Sequence, residues 1–68
     1  MDDLTDPMRT VLVLLLEKER GGQVHNPYQV GQTRMILAGL ARRGLVGNDR
    51  LLTEAGRDVA AELVDGGK

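Results

Sequence analysis

Apolar residues recur along the chain at helical spacing, broken by glycine and by short polar stretches. Placed at 100° per residue, Leu4, Met8, Val11, Leu12, Leu15 and Leu16 gather on one side of a first segment, with Arg9, Thr10, Glu17 and Arg20 opposite. Asp6-Pro7 opens this segment, because a carboxylate accepts from free backbone N–H groups and proline's fixed φ suits the first helical position. Gly21-Gly22 closes it after about Arg20. The run from residue 11 to 16 is also compatible with a buried strand, since periodicity does not separate short apolar runs; the caps and charged flanks favour helix. Val13 and Leu14 fall outside the apolar stripe. Either they meet a C-terminal helix within one domain, or they form a surface for a second copy or a partner.

Asn26-Pro27 reads as a turn or as a second helix opening, with a short helical piece over residues 27 to 30. A helix over 31 to 43 follows. Its inward stripe is Thr33, Ile36, Leu37, Leu40 and Ala41, leaving Gln32, Arg34, Met35, Ala38, Gly39, Arg42 and Arg43 outward. Gly44 stands where a left-handed helix stop is needed, and Leu45-Val46 leaves as a short strand. Gly47-Asn48-Asp49 tolerates the positive φ angles of a tight hairpin that returns through residues 50 to 52. Thr53 caps a last helix, with Gly56, Val59, Ala60, Leu63 and Val64 on one face and Arg57, Asp58, Glu62 and Asp65 on the other. Residues 1 to 5 and 66 to 68 are expected to fray. No repeat or long linker divides the chain, so a single domain over 1 to 68 is predicted. The expected class is mostly α: three main helices, a short second helix and a small two-strand hairpin.

Two motifs give this order a family likeness. Leu40, Gly44, Leu45 and Val46 end one helix, and Leu52, Thr53 and Gly56 open the next, a combination that resembles small winged helix-turn-helix regulators of the MarR-like and PadR-like kind. The likeness covers about residues 27 to 64 and rests on packing and turn residues rather than on contacts with DNA. It implies a double-stranded DNA-binding protein, a transcription regulator or a minimal phage-encoded accessory factor. By the same analogy the helix over 31 to 43 is the recognition helix, with Gln32 and Arg34 nearest the base edges, Met35 and Ala38 on the same face, and Arg42, Arg43 and Arg50 on phosphates. Arginine and glutamine suit bidentate contacts with guanine and adenine. The stretch from 24 to 30 is short for the usual second helix and turn, and it contains Pro27.

Charge changes the picture in detail. The 68 residues carry a net charge of −1, which by itself disfavours a ligand bound through its phosphates. Yet residues 29 to 50 hold four arginines against Asp49 alone, whereas the flanking segments are each acidic on balance. Four arginines are few for a monomer, so a homodimer that doubles the phosphate contacts is expected. The same arginines also fit an ordinary solvated helix face, the last two favoured by the negative helix end. The alternative function is a protein-interaction module on the same scaffold, using Met35, Ala38 and Gly39, or Val13 and Leu14.

Candidate chemistry is sparse. There is no cysteine and no serine, His25 is the sole histidine, and none of the threonines has a base at a suggestive spacing, so neither a thiolate metal site nor a nucleophilic constellation is expected. No catalytic residue, metal or cofactor is expected. Gly21-Gly22 lacks the Lys-Ser/Thr sequel of a phosphate loop. Tyr28 is the sole aromatic, which points to duplex rather than single-stranded nucleic acid. No stretch has the roughly 20 apolar residues of a membrane span, so a cytoplasmic protein that does not engage membranes is expected.

Overall fold

The computed structural model describes residues 4 to 66 and contains three helices, α1 (Asp6–Glu19), α2 (Val30–Arg42) and α3 (Glu54–Gly66). Thr5, not Asp6, caps α1: its Oγ1 accepts the Met8 N–H at 3.4 Å, while the Asp6 carboxylate accepts from Arg9 one turn on. Leu4 packs against the core; of the segments expected to fray, residues 1 to 3, 67 and 68 lie outside the described residues.

Helices α1 and α2 end in the same hydrogen-bonded motif. After α2, the Gly44 N–H donates to Ala41 and the Leu45 N–H to Leu40, with Gly44 at φ +75°; after α1, the Gly21 and Gly22 N–H groups donate to Lys18 and Glu17. Such an ending satisfies carbonyls that have no helical partner and lays the next apolar residue against the last turn. Here that residue is Leu45, which is buried beside Leu40.

Helix α1 packs against both other helices, whereas the backbones of α2 and α3 do not come close to each other. Val11, Leu12 and Leu16 of α1 meet Leu40 of α2, Ala60 of α3, and Leu45, Val46 and Leu52 of the connection. One ion pair reinforces this outside the core. Arg57 Nε donates to Glu19 Oε1 at 2.9 Å, and this bond holds the Glu19 carboxyl below the usual carboxylate range.

Two expected elements do not form, and the winged helix-turn-helix class is thereby overturned. Between α1 and α2 there is no short helix. The Asn26 side-chain oxygen instead accepts the Tyr28 N–H at 3.0 Å and its amide donates to Thr33 Oγ1 at 3.0 Å, giving the backbone an alternative to a helical turn. Helix α2 then starts at Val30, with the Gln29 N–H donating to the Gln32 side chain at 3.3 Å. In place of a two-strand hairpin there is one isolated antiparallel bridge between Val46 and Leu52, and no strand or sheet among the described residues. The helix stop at Gly44 and the turn at Gly47 leave only Leu45 and Val46 between them, while Thr53 already caps α3. Too few residues remain to extend a ladder.

Thr53 joins both ends of this connection. Its hydroxyl donates to the Gly44 carbonyl at 2.7 Å and accepts the Gly56 N–H at 3.0 Å.

The turn itself differs from expectation. Gly47, Asn48 and Asp49 keep negative φ, and the left-handed residue is Arg50 at φ +64°. The Arg50 N–H donates to the Gly47 carbonyl and the Gly47 N–H to the Leu51 carbonyl, so residue 50 occupies the bulge position that glycine normally fills in a three-residue hairpin loop. A side chain there costs about 1–2 kcal/mol. Arg50→Gly is therefore expected to raise stability by about 1 kcal/mol, or about 4–8 °C in melting temperature by circular dichroism. A lower melting temperature would show that packing of the arginine stem outweighs the backbone strain.

Candidate anion-binding face

The exposed side of α2 carries Val30, Gly31, Arg34, Met35, Ala38, Ala41 and Arg42. Ala41 was expected inward, but it lies at the edge of the apolar stripe where no other helix covers it. Gly39 was expected outward, yet it is half-buried: a Cβ there would lie 2.7 Å from the Met8 methyl group, so α1 approaches α2 at this point. No carboxylate belongs to α2.

The predicted site residues separate into groups. Arg34, Ala38 and Arg50 come together around an open cleft of about 220 Å³, floored by Leu37 and Val46 and edged by Asn48. Arg34 and Arg50 also line an adjoining cleft of about 130 Å³. Met35 and Arg42 lie on the same exposed side of α2, Met35 at 77% exposure. Gln32 and Arg43 do not join them: Gln32 accepts from the Gln29 backbone, and Arg43 Nη1 folds back to the Gly39 carbonyl at 3.1 Å. Arg34, Arg42 and Arg50 have no ion-pair partner among the described residues.

On α1, Val13 and Leu14 are both half-buried. Leu14 lines a further cleft of about 250 Å³ with Val24, Leu37, Lys18 and Arg50. Lys18 is a basic neighbour that the sequence reading did not single out, although it follows Leu14 by one helical turn. The acidic side chains Glu54, Asp58, Glu62 and Asp65 are exposed together on α3. The cationic helix face is carried by α2 and the acidic one by α3.

No group of His, Asp or Glu among the described residues is arranged to hold a metal ion, and no helix is long and apolar enough to cross a membrane. What the fold and site define is a small three-helix α domain with one uncovered, carboxylate-free helix face. No known protein family, curated protein sequence or solved structure matches the chain.

Proposed function

We propose that this protein binds double-stranded DNA through the exposed side of α2, acting in the cytoplasm as a transcription regulator or accessory factor. One observation carries the reading: among the described residues Arg34, Arg42 and Arg50 have no ion-pair partner, and the α2 surface beside them has small residues and no carboxylate. A helix about 10–12 Å across fits a major groove about 12 Å wide, and Gly31, Ala38 and Ala41 let its backbone come close. Guanidinium groups are suited to phosphate oxygens and to guanine edges. The acids Glu54, Asp58, Glu62 and Asp65 that contribute to the net negative charge are carried by α3, not by the helix that carries Arg34 and Arg42.

Few cations per chain favour a homodimer, for which half-buried Val13 and Leu14 on α1 are the proposed contact. A mobility-shift titration on mixed-sequence duplex at about 50 mM salt is expected to show binding that weakens steeply as salt rises. Arg42→Ala should reduce the slope of log affinity against log salt by about one. Light scattering should report a dimer. Absence of any shift at about 50 mM salt would overturn the DNA reading.

A second reading is favoured by the exposure of Val30 (76%) and Met35 (77%) on this same surface, which suits an apolar protein partner. It predicts binding that is indifferent to salt and lost in Met35→Glu.

A further inference from the structure

We infer that the cleft between α2 and the 47–50 turn is a phosphate-binding site, with Arg34 and Arg50 as its two donors. The inference rests on the DNA reading only for the source of the phosphate, a duplex backbone, and not for the site itself. Arg34 thereby anchors the complex independently of sequence, instead of reading a base edge as the family likeness implied.

Three observations converge. Arg34 and Arg50 line the same two adjoining clefts, and no Asp or Glu lines either. The one carboxylate of the turn, Asp49, accepts the Leu51 N–H through Oδ1 at 3.1 Å and makes no ion pair among the described residues. Among the described residues neither guanidinium group has an ion-pair partner, so two like charges border one opening. An anion with several oxygens would relieve that arrangement, and a phosphate offers each planar fork its own acceptors.

The backbone supplies the independent argument. Residue 50 is at φ +64°, where glycine is the undemanding occupant. Strain retained at one position is a reason to ask what its side chain does, and this side chain borders the clefts. The floor of Leu37 and Val46 strengthens any charge contact by keeping water from one side. The Asn26 link to Thr33 fixes the wall next to Arg34.

The test is an NMR titration that follows the arginine Nε–H signals at constant ionic strength, first with inorganic phosphate and then with a short mixed-sequence duplex. Phosphate should shift Arg34 and Arg50 saturably. Arg34→Gln and Arg50→Gln should each weaken that binding by about tenfold, as expected for loss of one charge-assisted contact. Arg50→Gly should lose phosphate binding while its melting temperature rises, a combination that damage to the fold cannot produce. Shifts with phosphate but none with duplex would support the site and sink the DNA reading. Duplex shifts on the α2 amides that leave both Nε–H signals unmoved would overturn the site and spare the DNA reading. Phosphate binding unchanged in Arg50→Gly would overturn it as well.

Discussion

Gly56→Ala is expected to destabilise the protein by about 3 kcal/mol or more, although alanine is the better helix former by about 1 kcal/mol. The two effects have opposite signs, and the geometry decides between them. A Cβ on Gly56 would overlap the Leu45 carbonyl oxygen and lie 2.8 Å from its carbon. The obstacle is backbone, not the end of a flexible side chain. Leu45 is held there by its N–H bond to Leu40, and its own carbonyl accepts from Thr53, so relief would open the connection that α2 and α3 share. A domain of this size has only about 3–10 kcal/mol of stability to lose. Circular dichroism melts should show a partly or wholly unfolded variant at room temperature. A melting temperature at or above that of the parent protein would refute the close approach of Leu45 to the first turn of α3.

Leu40→Ala and Leu12→Ala should each lose about 3–5 kcal/mol in urea denaturation. Both side chains are fully buried (0% exposed), and they belong to the two helices whose contact carries the α2 face. With so small a core, neighbouring residues have little freedom to close the cavity. Met35→Ala is the internal control: it sits in α2 one turn before Gly39 but is 77% exposed, so its change should remain within about 0.5 kcal/mol. Equal losses at Leu40 and Met35 would mean that α2 is rotated from the orientation described.

The helices were legible because their signals are local. The apolar rows of α1 and α3 are continuous, and Gly44 and Thr53 mark positions whose bonding is decided within a few residues. The α1 cap was misplaced by one because a threonine hydroxyl and an aspartate carboxylate stood side by side, and either can accept from the first turn. The short helix at 27 to 30 was not excluded by sequence, since Asn26 suits a turn and a helix opening alike, and its bonds with the Tyr28 N–H and with Thr33, seven positions away, decide between them. The hairpin failed for want of length, not of β-forming residues. Ala41 and Gly39 exchanged expected faces because the edge of a stripe is set by where a neighbouring helix happens to lie.

The site was legible as residues and not as geometry. Its arginines could be named from the basic middle segment, but nothing in an arginine signals a left-handed backbone, and Gly47-Asn48-Asp49 just before it drew that expectation instead. The meeting of Arg34 with Arg50 depends on that single turn.

The packing of both α2 and α3 on α1 also orders events during synthesis. Val11, Leu12 and Leu16 leave the ribosome early, yet one of their flanks stays uncovered until Ala60 has followed. At about 5–20 residues per second, that leaves an apolar strip waiting for a few seconds on every nascent chain, long enough for a chaperone or a neighbouring polypeptide to reach it first.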